Sequence, residues 1–271
     1  MKTRVTLNIA LFCLTLTSCA NQPPTAHAPW PAGQWIDLSY DLSSSTVYWP
    51  TADPFRLETV AAGMTEKGYY YSAYNFRAAE HGGTHIDAPI HFAEGRNTVD
   101  KIPLSQLTGQ AIRIDVAAKA GASRDYQINV AEFEAWESTY GRIADGTIVL
   151  LETGYGKYWP DAAQYLGTSK RGAAGVAELH FPGLHPDAAA WLAQNRRIKA
   201  IGIDTASIDY GQSQNYGSHV ALMTHDIPAF ENVANISQVP VTGAYVIALP
   251  IKIKDGSGGP LRIAAFVPEK K

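Results

Sequence analysis

His81-Gly82-Gly83-Thr84-His85-Ile86-Asp87-Ala88-Pro89-Ile90-His91-Phe92 gathers three of the chain's eight histidines and an aspartate within eleven positions. All four sit at odd numbers. In an extended chain successive side chains alternate faces, so His81, His85, Asp87 and His91 share one side while Thr84, Ile86, Ala88 and Ile90 present the other. One face is for chemistry and the other for a core. A helix is excluded despite the i,i+4 spacing of His81 and His85, because two consecutive glycines and Pro89 fall inside the window. A straight strand rising about 3.3 Å per residue would hold those two histidines roughly 13 Å apart, too far to share an ion whose bonds are about 2.0–2.2 Å long. The chain must bend between them, and Gly82-Gly83 supplies residues able to take positive φ. Asp87 lies two residues from His85, so that pair can meet one ion without a bend. Neutral imidazole with carboxylate suits Zn²⁺ or Mn²⁺. His91 lies beyond Pro89, which places it as a neighbouring acid/base rather than a further ligand.

Outward from this segment the elements are mostly strands. Trp35–Leu38, Ala111–Val116, Thr147–Leu151, Ile198–Ile203, Ala244–Leu249 and Arg262–Phe266 are short apolar, β-branched runs bounded by Gly, Pro or Asp. Helical signals are fewer: Val130–Thr139 has apolar residues near helical spacing, and Pro186–Gln194 opens with a proline suited to a first turn. The expectation is a strand-rich single α/β domain with mixed sheets and few helices, spanning residues 34–271.

Composition narrows the partners. The 271 residues are 46% apolar and 17% charged, which argues against a disordered chain or a coiled coil. A net charge of −3 with no cluster of Lys or Arg offers nothing to neutralise a phosphate backbone, so nucleic acid is not an expected partner.

At the start of the chain, Lys2 and Arg4 precede an apolar run from Val5 to Leu16, too short for the roughly 20 residues of a membrane-spanning helix. This reads as a signal peptide over residues 1–18. Leu16-Thr17-Ser18-Cys19 resembles a bacterial lipobox, in which Cys19 becomes the mature first residue and carries lipid. Acyl chains contribute about 0.8 kcal/mol per buried CH₂ and would hold the protein on a membrane surface. Ala20 rather than Asp after the cysteine fits the outer membrane or the periplasmic side. Pro23, Pro24, Pro29 and Pro31 make residues 19–33 a semi-extended tether. Loss of residues 1–18 removes Lys2, Arg4 and Cys13, leaving a charge of −5 and no pair of cysteines for a disulfide.

His81 to His91 also resembles, in full, the H-x-G-T-H-x-D-x-P-x-H motif of the metal-dependent cyclase-like hydrolases, which include bacterial kynurenine formamidases (arylformamidases) and isatin hydrolases. The similarity extends to Trp49-Pro50 with Pro54-Phe55, Gly154, Gly202 to Thr205 with Ser207 to Asp209, and His219 through Glu231. The resemblance implies a swivelling β/β/α fold, a homodimer, and metal binding by His81, His85 and Asp87, with His91 as the catalytic histidine. It further implies that His219 and Glu231 match the later ligands of two-metal members and that Trp49 lines a substrate pocket. On residue type alone His219 and Glu231 would not be paired. Glu231 does follow the apolar Ile227-Pro228-Ala229-Phe230, where an unpaired carboxylate is costly. His225 competes with His219, and the twelve-residue spacing favours His219. Tyr69, Tyr70 and Tyr71 are candidates for the pocket wall, Asp204 and Asp209 read as strand-end or supporting residues, and His27, His180 and His185 read as structural or exposed.

The expected activity is metal-dependent hydrolysis of a small aryl amide. N-formylkynurenine of tryptophan breakdown leads, and opening of a cyclic amide such as isatin, or of a lactone, is the alternative. A surface lipoprotein that binds metal or ligand without turnover is the rival from another class. No G-x-S-x-G elbow is present, which argues against a serine nucleophile.

Overall fold

Ile148 and Leu150 are buried in one apolar core, and Val149 and Leu151 in a second. A short run buried on both faces belongs in the middle of a covered sheet, which explains its unbroken apolar character. The computed structural model describes residues 31–269. The signal segment, Cys19 and His27 lie outside the described residues, as does the tether up to residue 30.

The strands are β1 (Gly33–Asp37), β2 (Arg56–Met64), β3 (Tyr70–Arg77), β4 (His85–Asp87), β5 (Thr108–Asp115), β6 (Gln127–Ile128), β7 (Ile148–Glu152), β8 (Gly183–Leu184), β9 (Ala200–Ile203), β10 (Ala229–Glu231), β11 (Ala244–Pro250) and β12 (Gly258–Pro268). Eight of them form one mixed sheet in the order β1-β12-β11-β5-β7-β9-β10-β4. Neighbours from β5 to β10 run parallel, and the remaining neighbours run antiparallel.

The eleven-residue β12 closes this sheet on itself. One edge of β12 pairs with β11. On the other, Gly258–Pro260 pairs with β4 and Ala264–Pro268 pairs with β1. The result is a barrel whose interior holds Ile86, Ile148, Leu150, Phe230, Val246 and Ile263. Its outer face on the parallel side carries Val149, Leu151, Ile201 and Ile203 beneath the helices, with Phe133, Leu192 and Leu222 packed against them.

The helices Val130–Tyr140 and Pro186–Asn195 fall where the sequence places them, within a residue of the expected ends. The first is opened by a capping box, in which the Asn129 side chain accepts from the backbone and Glu132 accepts from Asn129 N. The second has Pro186 in its first turn, with the His185 ring accepting from Asp187 N at 3.1 Å. His185 is therefore a helix cap, and His180 pairs with Asp125 at 2.9 Å. Both have structural partners.

Sequence reading misses the hairpin β2–β3, a separate two-stranded sheet. It also requires a correction: Tyr69, Tyr70 and Tyr71 lie on or beside this hairpin, all more than half exposed, and none lines the cavity described below. Their lack of alternation with polar residues gave no indication of face.

Candidate metal centre

Position 83 is where the chain turns. Gly83 has φ +58°, and a side chain at Gly82 would run into the Tyr48 ring, which is bridged to it from the neighbouring loop. Glycine is required at both for different reasons, conformation at one and close approach at the other. The bend brings the His81 and His85 rings to a centroid separation of 5.4 Å.

From there β4 sets the parity expected of the motif. Ile86 enters the barrel core, with Ala88 following it, while His85 and Asp87 face outward beneath the helical layer. Thr84 is the exception to a purely apolar inner face, since its buried hydroxyl accepts from Tyr40 N at 2.9 Å and donates to Asn232 O at 2.7 Å. Antiparallel pairing of β4 with β10 sets Glu231 directly opposite His85, which places the two side chains on one face. Helix Gly217–Met223 lies over that face and contributes the buried His219.

Two clusters result that could each hold a metal ion: His81, His85 and Asp87 in one, and Asp87, His219 and Glu231 in the other, with candidate ligand atoms in each within 4.8 Å of one another. Asp87 belongs to both. Its Oδ1 lies 2.6 Å from His81 Nδ1 and 3.2 Å from His85 Nε2, and its Oδ2 lies 3.1 Å from His219 Nε2. Glu231 lies 3.4 Å from His85 Nε2 and 3.1 Å from His219 Nε2. All five residues named from the sequence as ligands are thus brought together, and His225 is not among them.

The imidazoles are oriented for this task. His85 Nδ1 is 2.9 Å from the Gly83 carbonyl, which can only accept, so the proton sits on Nδ1 and Nε2 faces the carboxylates. His219 Nδ1 lies 2.6 Å from Asp209 Oδ2, which fixes the same tautomer. Asp209 also accepts from the backbone N–H groups of Ser218 and His219 at 3.1 and 3.2 Å, so one carboxylate caps the helix start and aims its histidine. In each case the nitrogen left facing Asp87 and Glu231 is a lone pair among carboxylate oxygens. A positive charge between them relieves that arrangement, and the donor set of imidazoles and carboxylates fits a divalent cation such as Zn²⁺ or Mn²⁺.

The electrostatics agree. Burial alone lowers the His85 pKa, but Asp87 and Glu231 outweigh it and push it up to about 10. For His219 burial is likewise outweighed, by Asp209, Asp87 and Glu231, and its pKa stands well above the ordinary value. Asp87 runs the other way, with burial overcome by His85 and His81 and the carboxyl held well below its usual range. Such a field stabilises positive charge in whatever form occupies it.

His91 ends a short 3₁₀ turn at Pro89–His91, stacked on the His81 ring at 3.9 Å and outside both clusters. Burial is the main influence on its pKa and lowers it, so its imidazole is neutral at neutral pH. Among the described residues no hydrogen bond holds its ring nitrogens. Asp204 serves elsewhere: it accepts from Thr153 N, Thr153 Oγ1 and Gly154 N at 2.6–2.9 Å and so ties down the turn after β7, its pKa raised by burial to about 6.

Both clusters open into a cavity of about 360 Å³. Its wall is largely apolar, with Val47, Tyr48, Trp49, Phe92 and Tyr216 among the lining residues, and no Lys or Arg among the described residues that line it. Trp49 lines the cavity, with Phe181 edge-on to it at 6.4 Å. Phe92 and Tyr216 were not foreseen. They approach each other at 5.2 Å, and Phe92 packs against His219 at 4.4 Å. The only available signal was the position of Phe92 next to His91.

Residues 36–210 match a family model described as putative cyclase. An isatin hydrolase of Roseibium aggregatum is 30% identical over 208 residues, 73% of this chain and 76% of its own length. A kynurenine formamidase of Bacillus mycoides is 30% identical over 230 residues, 84% of this chain and 95% of its own. Among solved structures, isatin hydrolase A from Labrenzia aggregata bound to benzyl benzoate superposes with a TM-score of 0.78 at 32% identity, covering 87% of this chain and 94% of that one. An isatin hydrolase bound to the product analogue thioisatinate gives 0.79 at 25% identity, covering 87% and 93%.

Proposed function

The chain belongs to the putative cyclase family, and on that premise we propose that this metal-dependent hydrolase cleaves the C–N bond of a small aryl amide. The observation that carries this reading is the pair of ligand clusters sharing Asp87 at the base of an apolar cavity. His81, His85 and Asp87 would hold one divalent cation, and Asp87, His219 and Glu231 a second. When bound, such ions supply the acidity that makes water a nucleophile near neutral pH and polarise a carbonyl.

The residues divide the remaining work. His91, neutral and free of hydrogen-bond partners among the described residues, takes a proton from the attacking water at a ring nitrogen and passes it to the leaving nitrogen as the C–N bond breaks. Trp49, Phe92 and Tyr216 offer faces on which an aryl ring stacks while water is excluded. N-formylkynurenine, giving kynurenine and formate, is the first substrate to test, with isatin and aryl lactones beside it. Turnover of none of the three by metal-loaded protein would favour a binding protein over an enzyme.

Replacing Trp49 by Ala is expected to raise KM for aryl substrates roughly 2- to 12-fold with little change in kcat, as removal of one aromatic contact worth about 0.5–1.5 kcal/mol requires. An unchanged KM for every aryl substrate would remove Trp49 from the binding wall.

We also propose that the protein is exported, lipidated at Cys19 and dimeric. The hairpin β2–β3 supports the dimer, because Leu57 opposite Phe76 and Met64 opposite Tyr70 leave one face apolar and exposed. A two-stranded ribbon bare on both sides is marginal alone. Labelled palmitate is expected in wild type and absent in Cys19→Ala, and Leu57→Glu with Phe76→Glu is expected to convert a sedimenting dimer to monomer. Label retained in Cys19→Ala, or wild-type sedimentation as a monomer, would defeat the corresponding part.

A further inference from the structure

We infer that Ser257 and Glu80 are positioning residues that fix which nitrogen of His81 faces the cation clusters, an inference that rests on the hydrolase reading above. His81 differs from its two partners. Its side chain is 23% exposed against 3–4% for His85 and His219, and its nitrogens are used in the opposite sense. Nδ1 lies 2.6 Å from Asp87 Oδ1, whereas Nε2 points away from the clusters to Ser257 Oγ at 2.9 Å.

A hydroxyl can donate or accept, so this last contact alone does not place a proton. Glu80 decides it. Ser257 Oγ lies 2.6 Å from Glu80 Oε2, and an ionised carboxylate only accepts, so the serine proton is committed to Glu80. The serine oxygen must then accept from His81, which puts the imidazole proton on Nε2 and leaves the Nδ1 lone pair toward Asp87. His85 and His219 obtain the other tautomer directly from the Gly83 carbonyl and from Asp209.

The hydroxyl is itself held. Ser257 N donates to the same Glu80 oxygen at 3.1 Å, and Ser257 O accepts from Ala88 N at 2.9 Å, so the loop is tied both to Glu80 and to the end of the motif. Residues 176 positions apart thereby set the ligand sense of the most exposed of the three ligand histidines. Without them a half-turn of the ring would present a C–H to the cation, and the other tautomer an N–H.

The test uses the full chain, ¹⁵N-labelled at histidine and loaded with Zn²⁺. Long-range ¹H–¹⁵N correlation is expected to find the His81 proton on Nε2 and the protons of His85 and His219 on Nδ1. In Ser257→Ala the His85 and His219 signals should hold, while Zn²⁺ affinity falls about 10- to 100-fold, the range for losing a ligand's supporting partner. Ser257→Thr, which keeps the hydroxyl, should restore affinity, and a melting curve confirms that each variant is folded. A wild-type His81 bound through Nε2, or wild-type affinity in folded Ser257→Ala, overturns the inference even if aryl amides are hydrolysed. The predicted tautomers and affinity loss without hydrolysis would sustain it and overturn the functional reading alone. A wild-type chain that binds no Zn²⁺ overturns both.

Discussion

Asp87→Asn is expected to empty both cation clusters and to abolish turnover, with kcat/KM falling on the order of 10⁴-fold or more. The substitution keeps the shape of the side chain and removes the charge that both clusters share, since Oδ1 faces His81 and His85 while Oδ2 faces His219. The size of the effect follows from the chemistry lost. A water with no cation beside it keeps a pKa near about 15.7, against about 7 when activated by zinc. Metal content and turnover are to be measured on the same folded sample, and two equivalents of Zn²⁺ retained in Asp87→Asn would sink the shared-ligand assignment. Glu231→Gln provides the contrast. It is a candidate ligand in the second cluster and only a neighbour of His85, at 3.4 Å, in the first, so the first should keep its ion.

His91 should separate from the ligands. His91→Ala is expected to lower kcat by about 10²- to 10⁴-fold, the usual range for general acid–base catalysis, with metal content unchanged. Because the His91 ring stacks on His81 at 3.9 Å, its removal also takes away packing from a ligand. His91→Phe controls for that, preserving an aromatic face without a proton to move. Loss of metal in both variants would make His91 part of the coordination set, and full turnover in either would remove it from the mechanism.

The motif made much of this site legible. Strand alternation holds for His85 and Asp87 on β4, and Gly82-Gly83 reveals the bend, because alternation and backbone sterics act within a few residues, whereas His81 before the bend and His91 on a 3₁₀ turn reach the site by other means. Strands β5, β7, β9, β11 and β12 are legible for a similar reason, as each carries enough apolar, β-branched residues to identify itself. By contrast, β4 and β10 have three residues each and take their conformation from neighbours rather than from their own propensity. The supporting residues were hidden more deeply. Asp209 reads as an ordinary strand-end acid until helix Gly217–Met223 sets His219 against it, and Ser257 and Glu80 carry no local mark of their meeting. The tyrosines at 69–71 misled because aromatic residues serve a pocket, a core or an exposed ribbon equally well, and only tertiary placement separates these uses.

The closing of the barrel by β12 has a bearing on when the protein can first capture its ions. His219 lies 132 residues from Asp87 in sequence, and the loop that seats His81 lies farther still. Bringing such distant segments together costs chain entropy that nearby contacts do not, so their assembly belongs to the late part of folding. A nascent or unfolded chain offers only scattered donors, whereas the finished barrel offers them already aimed. The ion therefore discriminates between the two, adding RT ln(1 + [M]/Kd) to the stability of the folded chain and little to the other. At a free ion concentration about a hundred times Kd this amounts to about 2.7 kcal/mol, enough to make ambient metal a quality check on newly made molecules.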